Sequence, residues 1–246
     1  MKRMIFGALA ASAGILLGPN AFGQSQTNAS VLTEEPVLIE LFTSQGCSSC
    51  PPADRLAQKL DREPDLVVIS KPVDYWDRLG WKDTYAKPSN SDLQRVYARR
   101  GLGGYNGVYT PQSVVAGRYG EVGSKEAALR DLTSRARSTN RAVIRLKPTT
   151  GGFGVGLGGT TDRAADLVLV GVSSREDVKI GRGENGGRTV TYTNVLIDEK
   201  RIATWSGGTA SHALKSSQMR MAGADRYALV LREPDGGPVL AARWVE

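Results

Sequence analysis

The feature that most restricts this chain is the segment Phe42-Thr43-Ser44-Gln45-Gly46-Cys47-Ser48-Ser49-Cys50-Pro51-Pro52. Its two cysteines are the only ones in 246 residues. A disulfide placed for stability normally closes a long loop, because the entropy removed from the unfolded chain grows with loop length. The Cys-x-x-Cys loop is about as short as a useful disulfide allows, so the spacing points to chemistry more than to stapling. Structural zinc needs four ligands, usually a second Cys or His pair, and the only histidine is His212. Haem attachment needs a histidine directly after the second cysteine, where Pro51 stands. A dithiol–disulfide pair is what these residue types leave, with no metal or organic cofactor.

The flanks give the pair a setting. Pro36 to Phe42 is short, apolar and rich in branched residues, which reads as a buried strand. A helix is predicted from Cys50, because Pro51 and Pro52 are tolerated in a first turn whose N–H groups lack partners anyway. Ala53, Leu56, Ala57 and Leu60 supply its apolar face, and Asp65 to Ser70 reads as a second strand. A strand–helix–strand unit of about 35 residues predicts a right-handed crossover and a parallel pair. Cys47 then lies just before a helix N-terminus, where the unpaired N–H groups and the helix dipole favour a thiolate. That makes Cys47 the candidate nucleophile and Cys50 the resolving thiol. Glu40 lies in the first strand, seven residues before Cys47. If burial beside the dithiol raises its pKa, it can accept the resolving thiol's proton.

The N-terminus reads as an export signal. Lys2 and Arg3 precede the apolar run Met4–Leu17, and Ala21-Phe22-Gly23 offers small residues at a cleavage site. Residues 1–23 are therefore expected to be removed, and 24–35 to be a polar, disordered segment. The apolar run is too short for a stable membrane span. Loss of Lys2 and Arg3 lowers the formal charge from +7 to +5. The remaining cations are scattered among acids, which argues for a solvated surface and against a nucleic-acid partner.

Beyond the second strand, Asp74, Tyr75, Trp76, Asp77 and Trp81 fall at the C-terminal end of that strand, the edge where open α/β sheets gather ligands. Asp74, Trp76 and Trp81 are candidate substrate-binding residues. A helix is expected over 91–100, capped by Asn90 or Ser91 and stopped by Gly101. Thr110-Pro111 precedes a third strand, Ser113–Ala116, and resembles the cis-proline element of thioredoxin-like domains, which faces the dithiol and offers backbone to a substrate. Pro111 joins the catalytic set on that ground, and Thr110 joins the substrate-binding set. Ser124 is expected to cap a further helix to Arg137. From about Arg141 the segments 142–146, 167–170, 189–195, 227–231 and 239–245 all read as strands separated by Gly-rich turns. Gly154 to Gly159 has dinucleotide-loop spacing, but its alternation reads as a strand.

Leu41 to Asp54, Val73 to Asp77 with Gly80 to Asp83, and Val108 to Gln112 together resemble the DUF1223 family, and the likeness continues through Gly183 to Thr189 and Asn194-Val195. The resemblance implies a secreted bacterial protein with a thioredoxin-like fold, and little about its reaction. Gly46 stands where thioredoxin itself has a tryptophan, so Trp76 or Trp81 is expected to supply the apolar platform beside the dithiol.

The fold class expected is α/β: a thioredoxin-like domain over 36–140, followed by a β-rich C-terminal domain or extension over 141–246. The function expected is thiol–disulfide exchange in the periplasm or outside the cell, with protein disulfides or small thiols as partners. The alternative is a non-enzymatic envelope binding protein in which the Cys47–Cys50 bond only locks a turn. The oligomeric state is not legible in the sequence.

Overall fold

The computed structural model describes residues 35–103 and 107–246. The expected signal and most of the polar segment after it lie outside the described residues. Glu35, the last residue of that segment, is buried and ion-paired with Arg145 and Arg243.

The described residues form one compact unit. An eight-stranded sheet dominates this mixed α/β structure. The first strand, β1 (Val37–Thr43), is buried along its whole length. Its alternate residues serve two cores. Val37, Ile39 and Leu41 pack with Ala53, Leu56, Ala57 and Leu60 of the first helix, α1 (Pro51–Leu60), and with Leu129 of α3 (Glu126–Arg137). Leu38 faces the opposite side. Covering both faces explains why β1 reads as a continuous apolar run rather than an alternating one. Emptying one of the buried α1 leucines would cost about 2–5 kcal/mol.

The strand β2 (Leu66–Pro72) runs parallel to β1, with Val37 opposite Leu66 and Thr43 opposite Pro72. On the other side of β1 lies β3 (Gln112–Val115), antiparallel, followed by the edge strand β4 (Tyr119–Val122). The second helix, α2 (Pro88–Tyr97), starts earlier than the sequence suggests. Pro88 takes its first turn, so Asn90 and Ser91 are already inside the helix and not caps. Their side chains instead bond Pro72 O and the Asp74 carboxylate. Gly101, with φ +80°, breaks the turn that follows α2. Likewise Lys125, not Ser124, occupies the N-cap of α3.

The later half continues the same sheet. Two long strands, β7 (Ala165–Lys179) and β8 (Thr189–Trp205), pair antiparallel, and β8 joins β2 in parallel at Ser70 and Val195. The strands β10 (Arg226–Arg232) and β11 (Val239–Trp244) complete the order β11-β10-β7-β8-β2-β1-β3-β4. The sheet curls, so that the start of β11 returns to the seam of β1 and β3: Ala116 N–H donates to Leu38 O, and Val239 N–H to Ala116 O. Inside the curl Leu38, Val67 and Ile69 meet Val170, Val230 and Ala242. A second, three-stranded sheet of β5 (Ala142–Thr149), β6 (Gly152–Gly159) and β9 (Ala210–Lys215) packs its Ile144, Val155 and Leu157 on Leu167, Leu229 and Leu231.

Candidate functional site

The end of β1 delivers the chain into a tight turn. Cys47 N–H donates to Ser44 O and Cys50 N–H to Cys47 O, and Cys50 becomes the N-cap of α1. Cys47 and Cys50 form a disulfide, with Cα atoms 5.4 Å apart, and both residues are 0% exposed. The two serines between them are exposed. Ser49 Oγ lies 3.3 Å from Cys47 Sγ and also donates to Thr110 O at 3.5 Å.

Four of the residues singled out in the sequence, Thr110, Pro111, Trp76 and Trp81, converge on this turn. The Thr110–Pro111 bond is cis, and it leads into β3. Trp76 donates its indole N–H to Thr110 Oγ1 at 2.8 Å, while a Cβ built on Gly46 would meet the Trp76 Cβ at 3.3 Å. Trp76 thus fills the side that the glycine leaves open, joining the cysteine loop to the cis-proline loop. Trp81 lies on the other flank and donates to Gln45 Oε1 at 2.8 Å. Asp74 does something different: it accepts the Ser91 hydroxyl at 2.5 Å and so ties its own loop to α2.

Glu40 requires a correction. Residue 40 projects from the face of β1 opposite α1, into the curl. There Arg232 lies 2.7 Å from its carboxylate, Lys71 3.6 Å, and the Tyr97 hydroxyl donates at 2.5 Å. Burial alone would push the Glu40 pKa up, but the charges of Arg232 and Lys71 and these hydrogen bonds hold it below the ordinary value. Glu40 is an ion locked in a buried charge network, not a proton acceptor for the dithiol.

The acid on the dithiol's side is Asp54, which sequence reasoning missed. It follows Cys50 by one helical turn, and its backbone N–H donates to Cys50 O. Residues four apart share a helix face. Asp54 is 2% exposed; Oδ1 accepts the Thr43 hydroxyl at 2.7 Å, and Oδ2 has no hydrogen-bond partner. Burial, opposed by the Thr43 hydrogen bond and reinforced by the charge of Asp83, raises its pKa to about 8. Asp83 is buried as well. Its pKa is raised by burial and by Asp77, against hydrogen bonds from the Gln45 and Tyr85 N–H groups. Tyr192 of β8 completes the cluster, its phenol pushed up by burial and by these two carboxylates.

The last contribution comes from the turn joining β7 to β8. Asn185 is buried and donates through Nδ2 to Gln45 O at 3.0 Å and Cys47 O at 2.8 Å. Glu184 accepts the Ser48 N–H at 3.1 Å, and hydrogen bonds from Ser48, side chain and then backbone, keep its carboxyl below the ordinary value. Gly183 (φ +77°) and Gly187 (φ +82°) adopt the left-handed conformation this turn needs. Among the described residues no three His, Cys, Asp or Glu side chains gather to hold a metal ion. Among them, too, no helix is long and apolar enough to cross a membrane.

Fold and site together define a mixed α/β protein with a buried disulfide at the N-terminus of its first helix and an uncommitted carboxyl group one turn on. The chain belongs to the family described as a protein of unknown function, DUF1223, whose model matches residues 38–232. Among solved structures it is similar to a protein from Agrobacterium tumefaciens determined by a structural genomics consortium. That likeness has 28% identity and a TM-score of 0.72, over 85% of this chain and 93% of the other. It also resembles HBP35 of Porphyromonas gingivalis at 14% identity and a TM-score of 0.51, over 86% of this chain and 74% of that one; this second likeness concerns the fold alone. Comparison with the curated proteins finds no match.

Proposed function

We propose that this is an exported thioredoxin-like protein that exchanges disulfides through Cys47 and Cys50. The observation that carries the reading is Asp54, a buried carboxyl with a pKa raised to about 8, one helical turn after Cys50. Its Oδ1 takes the Thr43 hydroxyl, while Oδ2 is left without a hydrogen-bond partner. The strand order β2-β1-β3-β4, with β1 and β2 parallel, and the cis Thr110–Pro111 bond beside Ser49 support the thioredoxin-like part. On this reading residues 36–140 carry the exchange site, and residues 141–246 are the β-rich extension that backs it. The polar N-terminus with its Lys2-Arg3 start and apolar run supports export to the periplasm or beyond, where a disulfide persists.

The exchange proceeds in balanced steps. A partner thiolate attacks Cys47 Sγ; the Cys47–Cys50 bond breaks, and its electron pair leaves on Cys50 Sγ, which takes a proton. Asp54, protonated at neutral pH, is the donor. A second thiol of the partner attacks the partner sulfur of the mixed disulfide, its proton restores the Asp54 carboxyl, and the Cys47 thiolate is released. The helix N-terminus and the Ser49 hydroxyl stabilise that thiolate. Asp54, protonated again in that step, adds no repulsion to it. The net change is protein disulfide plus partner dithiol to protein dithiol plus partner disulfide, and the reverse is equally open. Thr110, Trp76 and Trp81 flank the approach and are the contacts offered to a protein disulfide or small thiol; Asp74 holds their loop in place.

One observation favours a second reading. Both cysteines are 0% exposed, as a disulfide that only locks the turn of a binding protein would be. Equilibration of the purified protein in glutathione buffers separates the two. A reduction potential between about −120 and −270 mV places the pair among exchange proteins, and a value below about −300 mV makes the bond structural.

A further inference from the structure

Exchange requires a thiolate to reach Cys47 Sγ in line with the bond being broken, yet that sulfur is buried. The backbone carrying it is held at three points by a segment more than 130 residues away in sequence: Asn185 on Gln45 O and Cys47 O, and Glu184 on Ser48 N–H. The segment is a closed turn, with Gly187 N–H on Ile180 O, Gly186 N–H on Gly183 O and Arg188 N–H on Asn185 O. Arg188 also donates to Asn185 Oδ1 at 3.1 Å, which orients the amide so that Nδ2 points at the cysteine loop. Trp81 packs over the turn so closely that a Cβ on Gly181 would lie 2.9 Å from its ring.

The way this turn is mounted matters as much as its contacts. Pairing of β10 with β7 ends at Val172, and β2 meets β8 at Ser70 and Val195. Beyond those points β7 and β8 pair only with each other, through Lys179 and Thr189. The turn therefore sits at the end of a two-stranded arm that rests against α1, where Gln58 donates to Thr191 O. Apart from Asn185, residues 181–189 are exposed. The Glu184 contact is solvent-facing and made to Ser48 alone, through its backbone N–H and its side chain, and polar contacts in solvent of this kind contribute little and break readily.

We propose that the β7–β8 turn is a latch on the dithiol: engaged through Glu184 and Asn185 it shields the Cys47–Cys50 bond from thiols, and its release opens Cys47 Sγ to attack. Its biological purpose rests on the exchange reading above, although its test does not. The buried cystine is then a resting state, and the C-terminal half governs the reactivity of a bond made entirely by the N-terminal half.

The test is the rate at which excess dithiothreitol reduces the oxidised protein. The reagent gives up two electrons and two protons and closes to its cyclic disulfide as the Cys47–Cys50 bond breaks. Glu184→Ala is expected to be reduced several-fold faster than wild type, and the double variant Glu184→Ala/Asn185→Ala at least tenfold faster. Arg182→Ala, exposed at the same turn, should stay within twofold of wild type and controls for truncating a surface side chain there. Equal rates for wild type and Glu184→Ala overturn the latch, as does equal acceleration by Arg182→Ala. Should the buried Asn185 position not tolerate alanine, Glu184→Ala decides alone, since its side chain is in solvent. The glutathione potential keeps the two proposals apart. A potential typical of exchange proteins with unchanged rates removes the latch alone; faster reduction with a structural potential removes the exchange reading alone.

Discussion

Replacing Asp54 by asparagine removes one titrating proton from the interior while keeping an oxygen for the Thr43 hydroxyl. In the unfolded chain an aspartate loses its proton near pH 4; in the fold Asp54 keeps it to about pH 8. Between those values the unfolded state binds fewer protons than the folded one, so this group makes stability fall as pH rises. The slope for one proton is about 1.4 kcal/mol per pH unit, or roughly 2.7 kcal/mol between pH 5 and pH 7. Asp54→Asn has no such loss. Measured by urea unfolding of the oxidised proteins at pH 5, 6, 7, 8 and 9, the variant should gain on wild type by about that amount from pH 5 to 7, with the difference levelling above pH 8. Carboxyls whose pKa values are lowered, such as Glu40 and Glu121, act in the opposite sense at lower pH. They are common to both proteins and cancel. A difference that stays constant from pH 5 to 8 would mean that Asp54 is already ionised in the fold. It could not then supply a proton to Cys50, and the mechanism proposed above would fail.

Two further outcomes follow from the same geometry. Reducing the Cys47–Cys50 bond, or replacing Cys50 by serine, should lower stability by only about 2 kcal/mol, the entropy of closing so short a loop; urea midpoints of oxidised and reduced protein measure it, and a much larger loss would speak for a structural bond. Arg232→Ala should cost about 3–5 kcal/mol, because it strands the Glu40 carboxylate in the curl with only Lys71 and Tyr97. Glu40 has a lowered pKa in the fold, so its contribution is present above the unfolded value and lost as pH falls through the folded one. The Arg232→Ala deficit should therefore shrink towards low pH, which denaturation at pH 3 and pH 7 would show.

Local patterns carried the part of the structure that local forces decide. β1, β2 and α1 were legible because branched apolar runs and the Pro51-Pro52 start leave few other conformations. The strand period also held an answer about Glu40. Ile39, Leu41 and Thr43 share the α1 face, so residue 40 has to point away from the helix that carries the dithiol. The helix period, followed past Cys50, places Asp54 on the cysteine's own face. Cap positions were less legible: Pro88 opens α2 as Pro51 opens α1, and Asn90 and Ser91, read as caps, tie the helix to Pro72 and Asp74 from inside its first turn. The short edge strand β4 and the polar β9 lack the apolar run that marks a strand, and their pairing partners create them. Nothing local indicates that Asn185 reaches Cys47 O, since that bond spans 138 positions.

The long-range contacts also explain why the two halves share one sheet. β2 would be an edge strand if the chain stopped at residue 140, and its Val67 and Ile69 would lose the cover that Val170, Leu196 and Val230 provide. Open edges of this kind invite pairing with other chains, and β8 closes this one. By joining β2 there, β8 also carries its far end past α1, fixing Tyr192 beside Asp54 and Asp83 and Asn185 beside Cys47. The strand that seals the sheet thus sets both the electrostatics beneath the disulfide and the hydrogen bonds above it. A change in the pairing of β8 with β2 would be felt at the cysteines without any residue of the Cys-x-x-Cys loop being altered.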